Sequence, residues 1–155
     1  LGRSALHMFP ANCDAQIVGM VWQTHCRIGG RFMISLEVFE EYTMETADSF
    51  PEVFFRELNG GVMVRAGSPL HPAAEDHDLF ILGEYHIGRF IVLYYGSFAQ
   101  CYGTCSEEEI QVQIRKVLLH EFRHHLESLA GERDLEIEDA VNVSQYKAKK
   151  RQEKT

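Results

Sequence analysis

No apolar run in this chain approaches the roughly 20 residues that a membrane-spanning helix requires. The longest near the start, Ile17–Trp22 (IVGMVW), is also too short for the core of a secretory signal. The expectation is a soluble, cytoplasmic protein with no membrane partner. Cysteine is sparse: Cys13, Cys26, Cys101 and Cys105 stand at irregular spacings, and a chain large enough to have its own core needs no disulfide framework. Cys101 and Cys105 (CYGTC) lack a second pair or a neighbouring histidine, so they are a weak metal signal and read as reduced thiols. Positive charge is also short. Fifteen Lys and Arg face 23 Asp and Glu, for a net charge of −8 and a pI near 5.4. That balance argues against nucleic acid or an anionic membrane surface as a partner. The one basic block, Lys147, Lys149, Lys150, Arg151 and Lys154, reads as the solvated end of a helix. No internal repeat is visible, and 155 residues suit one domain.

What the chain does contain is a run of helix and strand signals in an order that excludes a doubly wound sheet. From Ser35 the pattern turns helical through Leu36, Phe39, Glu40 and Thr43, and Ser49-Phe-Pro-Glu-Val opens a second expected helix with Ser49 as N-cap. VMVRAG, LFILGEY and RFIVLYYG (Arg89–Gly96) read as strands, the last being the strongest, with β-branched and aromatic residues between polar or glycine boundaries. SFAQCYG fits a short helix. Ser106 and Glu109 form a capping box for a long helix from about Glu107 to Leu129, stopped by Gly131, and a final helix starts near Asp134. Helices, a few strands, then helices imply an α+β fold with a small, mostly antiparallel sheet packed against helices. Residues 1–31 read as an extension, with a strand on Gln16–Trp22 as the alternative. The folded domain then covers 32–146 and the basic tail 147–155.

The long helix carries the chemistry. KVLLHEFRHHLESLAGERD (Lys116–Asp134) holds His-Glu-x-x-His among Val117, Leu118, Phe122, Leu126 and Leu129. At about 100° per residue, His120 and His124 lie about 40° apart in direction and one turn apart along the axis, so both imidazoles can meet one ion. Glu121 is rotated by about 100° from His120, which separates a base from the ligands. A catalytic zinc site takes three protein ligands and keeps the fourth position for water. The third ligand has three candidates. Asp134 follows the turn that Gly131 permits, Glu127 shares the helix face with His124, and Glu138 lies on the next helix. His125 reads as a packed, hydrogen-bonded histidine or as a support for a ligand.

KVLLHEFRHHLESLAGERDLEIEDA, with SLEVFEEYTMETADSFPEVFFREL upstream and RFIVLYYG between them, resembles the small bacterial zincin-like metallopeptidase family of minimal metalloproteases. The resemblance covers about Ser35 to Asp139. It implies a compact zincin-like domain built round a central histidine helix, with His120 and His124 as zinc ligands and Glu121 as the catalytic carboxylate. The relatives' pattern His-Glu-x-x-His-x-x-Gly-x-x-Asp is altered here: Glu127 and Ala130 occupy the glycine and aspartate positions, and Gly131 and Asp134 come four residues later. The function expected is a zinc-dependent metallopeptidase acting on peptides or unfolded protein, with a substrate strand pairing to an exposed sheet edge, RFIVLYYG being the candidate. Tyr94, Tyr95 or His86 would supply a further electrophile. The competing expectation is a metal-binding or protein-interaction module of the same shape without turnover.

Overall fold

The computed structural model describes residues 4–10 as a strand and residues 34–154 apart from 76, 78, 87, 88 and 133. Strand β1 (Ser4–Pro10) is followed by helix α1 (Leu36–Asp48), one 3-10 turn (Glu52–Phe55), strands β2 (Gly61–Arg65), β3 (Leu79–His86) and β4 (Phe90–Tyr94), and helices α2 (Tyr95–Tyr102), α3 (Glu107–Ala130) and α4 (Asp134–Glu153). The class is α+β. The sheet order is β1-β3-β4-β2, with β1 and β4 antiparallel to β3 and β2 parallel to β4. Among the described residues no helix is long and apolar enough to cross a membrane.

Local chemistry sets the ends of α3. The Ser106 side chain accepts from the Glu109 amide while the Glu109 carboxylate accepts from the Ser106 amide, satisfying two of the amides that every helix start leaves open. Glu107, Glu108 and Glu109 lie in the positive end of the helix dipole. At the far end Gly131 takes the left-handed conformation, φ 74°, its amide donating to Ser128 O and that of Glu132 to Glu127 O. This closing pair of bonds needs a residue at positive φ, where glycine carries no Cβ penalty.

Between those ends Ile110, Ile114, Val117, Leu118 and Phe122 form a fully buried stripe, at the three- and four-residue spacing of a helix packed on a sheet. The stripe meets Leu82, Tyr85, Ile91 and Leu93 of the sheet, and Phe39, Phe50 and Phe98 close the core. Phe122 is gripped by three aromatic rings, Phe55 at 5.0 Å, Phe50 at 5.5 Å and Phe54 at 5.8 Å between centroids. Phe50 and Phe55 meet it edge-on, and edge contacts fix direction as well as burying area. They hold α3 in one rotation about its axis.

Three expectations change. The second helix shrinks to the 3-10 turn, and Ser49 is the C-cap of α1: its hydroxyl donates to Thr46 O and accepts from Arg115. Pro51 is the cap of that turn and makes no side-chain cap bond, so no N-cap supports a longer helix there. RFIVLYYG is not a sheet edge, because β4 lies between β3 and β2. Inside the segment expected to be an extension, Ser4–Pro10 pairs with β3; the alternative strand on Gln16–Trp22 lies outside the described residues. Helix α4 runs unbroken across position 147, and Lys154 reaches Glu75 at 3.1 Å.

The Cys101 and Cys105 side chains are buried. Burial pushes Cys101 up to about 12; burial first, then the charge and hydrogen bond of Glu109, push Cys105 up to about 11. Since the thiolate is the nucleophile, and raised values leave little of it at pH 8, iodoacetamide at that pH should leave both unalkylated in the native protein. Mass mapping should show both labelled after unfolding. Equal labelling in the two states would mean that the α2–α3 corner is open to solvent.

Candidate metal centre

The rotation of α3 decides what each residue of the histidine motif faces. Glu121 and His125 fall on the buried stripe, whereas His120 and His124 lie to one side of it, about 100° and 60° from Glu121. That side faces α4. Leu135, fully buried, docks α4 on α3, and Asp139, one turn later, comes to the same face. Glu127 seats the junction, its carboxylate accepting from the Leu135 amide at 3.0 Å in the first turn of α4.

His120, His124 and Asp139 thus converge, their ligand atoms all within 4.8 Å of one another. Nε2 of His124 is 2.9 Å from Asp139 Oδ2; Nε2 of His120 is 3.3 Å from Oδ1 and 3.4 Å from Oδ2. Ligands on a tetrahedral ion with bonds of 2.0–2.1 Å sit about 3.3 Å from each other. The donor set, two imidazole nitrogens and one carboxylate, therefore has the spacing and the chemistry to hold a metal ion. His124 is nearly closed off, and the His120 and Asp139 side chains keep 16% and 17% of their surface, which leaves the group open to solvent on their side.

Electrostatics reinforce the convergence. Burial raises the Asp139 carboxyl, but hydrogen bonds and charge from His120 and His124 outweigh it and hold the group below its ordinary value. Glu121 is fully buried. Burial first, then the charges of Asp139 and Glu84, drive its carboxyl well above the ordinary range, opposed by a hydrogen bond from the Tyr85 backbone. The carboxylate reaches Tyr85 because β3 has glycine where the helix crosses. A Cβ on Gly83 would lie 2.8 Å from Val117 Cγ1 and 3.3 Å from both Glu121 Cγ and Val92 O.

His125 is the packed, hydrogen-bonded histidine. Its Nε2 donates to Arg56 O at 2.7 Å, which leaves Nδ1 to accept from the Tyr85 hydroxyl at 2.9 Å. Of the three candidates for the third ligand, Glu127 caps α4 and Glu138 is exposed. Asp134 begins α4, and its side chain lies outside the described residues. Asp139 was not foreseen. A signal for it existed in the four-residue step from Leu135, but the apolar pair Ile137 and Val141 points to another face of α4, and both prove to be exposed. Of the expected electrophiles, Tyr95 donates to Ile34 O at 2.6 Å, while His86 and Tyr94 face Glu84 at 2.6 and 3.4 Å.

No family model matches the chain, and no curated protein matches it. Among solved structures, a conserved hypothetical protein from Thermus thermophilus superimposes with a TM-score of 0.56 at 35% sequence identity, over 63% of this chain and 98% of that one. This chain belongs to the family of that protein. Family membership supports the fold, and any function has to be read from the geometry of the histidines and Asp139.

Zinc titration of metal-stripped protein should give one site per chain. His120→Ala, His124→Ala and Asp139→Ala should each weaken it by about a hundredfold or more, while Glu127→Gln, Glu138→Gln and Asp134→Asn should leave it near wild type. Full affinity in Asp139→Ala would remove Asp139 from the set. Gly83→Ala should cost about 1–3 kcal/mol in a denaturant titration, because the β-branched Val117 cannot swing away from the added methyl. An unchanged midpoint would show that α3 does not lie this close to β3.

Proposed function

We propose that the protein is a zinc-dependent metallopeptidase with a zincin-like active site, in which His120, His124 and Asp139 hold the ion and Glu121 is the general base. The observation that carries this reading is the separation of roles on α3: two imidazoles turned toward a carboxylate of α4, and a second carboxylate on the buried stripe beside them. Zinc, when bound, supplies Lewis acidity toward a carbonyl oxygen and acidifies water. Glu121 accepts a proton from the attacking water and returns it to the leaving amine. Burial raises the proton affinity of that carboxylate. The class of substrate is a peptide or an unfolded protein segment, which presents a backbone carbonyl without a fixed fold around it.

A second reading, a metal-binding or interaction module of the same shape without turnover, is favoured by one feature: Glu121 has no exposed surface at all. The two are separated by one pair of measurements. Zinc-loaded wild type should cleave an unstructured, fluorescence-quenched peptide mixture. Glu121→Gln should retain zinc and lose at least about a hundredfold in kcat. Cleavage that persists in Glu121→Gln removes the general-base assignment, and a zinc-loaded wild type that cleaves nothing leaves the binding module.

A further inference from the structure

Helix α4 has two long sides, and the fold uses one of them. Leu135 is buried, and Asp139, Val143, Tyr146 and Lys150 are half-buried on the same side, where α4 meets α3 and the Tyr146 hydroxyl accepts from the Glu75 amide at 3.2 Å. The other side carries Ile137 and Val141, which keep 62% and 49% of their surface, and then Ser144 and Ala148, both exposed. At about 100° per residue these four lie within about 60° of one another, and Ile137 points about 160° away from Asp139. Steps of four, three and four residues are the spacing at which two helices pack along their length.

The line is narrow and suited to close approach. The Ser144 hydroxyl donates back to Ala140 O at 3.0 Å, so it needs no partner from outside, and Ala148 ends at its methyl group. Charge on the flanks then says what fits. Glu138 and Lys149 lie on one flank of the line and Glu136 and Lys147 on the other, each roughly 90–110° from its centre. Let a second copy of α4 lie antiparallel, with Val141 of one level with Ser144 of the other. The twofold axis, perpendicular to both helices, sets each flank against the same flank of its mate. Glu138 then faces Lys149 of the second copy and Glu136 faces its Lys147, each within about one helical turn of level. A parallel arrangement would put acid on acid and base on base. Flanking charges of this kind choose both the partner and its direction.

We propose that the outer side of α4 is the interface of a homodimer, in which two copies of this chain pair α4 antiparallel about a twofold axis between Val141 and Ser144. The occupant is a second copy because the complement of each flanking charge stands on the same helix. One helix line per copy buries less than the roughly 800 Å² per partner of a standard stable interface, so the dimer is reversible. His120, His124 and Asp139 take no part in it. The pairing therefore stands whether or not the metal centre is filled and whether or not the peptidase reading holds.

The test is sedimentation velocity of the full chain, from about 10 μM to about 0.5 mM at low salt, a range that spans weak association. Wild type should pass from the 17.8 kDa monomer to a dimer and no further, since a twofold contact closes on itself. A monomer at the highest concentration, or growth beyond a dimer, overturns the proposal. Ile137→Ser with Val141→Ser, both at exposed positions, should keep the helical circular dichroism and weaken the dimer at least about tenfold; an unchanged constant places the interface elsewhere. Raising NaCl from about 50 to about 500 mM should weaken the wild-type dimer several-fold, and a dimer that salt leaves unchanged or tightens contradicts the charge pairing. Orientation is read from two further variants. Glu136→Lys with Glu138→Lys makes both halves basic, and Lys147→Glu with Lys149→Glu makes both acidic. Each alone should stay monomeric, and an equimolar mixture should regain the dimer. Self-association of either variant at wild-type strength, or a mixture that stays monomeric, overturns the antiparallel pairing.

Discussion

The seating of α3 on the sheet is the constraint from which the rest of the site follows. A helix with a histidine motif has no chemistry until its rotation about its own axis is set, because 100° separates one residue's direction from the next. Here the rotation is set twice. Phe122 is enclosed by Phe50, Phe54 and Phe55, and Val117 and Glu121 rest on the bare backbone of Gly83. With those two points fixed, Glu121 and His125 must enter the core and His120 and His124 must turn to α4. The site is a by-product of core packing, and core packing is the part of a protein that tolerates least displacement.

Asp139 and the buried Glu121 then acquire opposite characters from their surroundings. Asp139 faces two imidazoles and is drawn toward its charged form; Glu121 faces apolar groups, one amide and the charges of Asp139 and Glu84, and is driven toward its neutral form. Neighbouring titratable groups whose surroundings push their proton affinities apart are found at functional sites more often than elsewhere. The carboxylates sit on different helices, joined through Gly131 and the cap that Glu127 places on Leu135. That joint holds the start of α4, and with it Asp139, against α3.

Much of this was legible in the residues. The limits of α3 follow from Ser106, Glu109 and Gly131, and the shared direction of His120 and His124 follows from their spacing, because capping and periodicity are local. The β-branched run in β4 announced a strand for the same reason. Its neighbours did not announce themselves: strand pairing joins residues far apart in sequence, and nothing within RFIVLYYG tells a central strand from an edge. Ser49 looked like an N-cap because Pro51 suits the first turn of a helix that begins after it, yet its neighbours in space, Thr46 and Arg115, made it a C-cap. Asp139 was hidden by Ile137 and Val141, whose apolar spacing suggests a buried face that packing against α3 does not use. Position on a helix surface is local information; which surface meets a neighbour is not.

The account stands on two imidazole nitrogens and one carboxylate oxygen meeting at a single ion. X-ray absorption at the zinc edge of the metal-loaded protein reads that ligand set directly. It should show a first coordination sphere of nitrogen and oxygen at about 2.0–2.1 Å, with the outer-ring scattering of two imidazoles. Sulfur ligands at about 2.3 Å, or a sphere of oxygen with no imidazole pattern, would contradict the account.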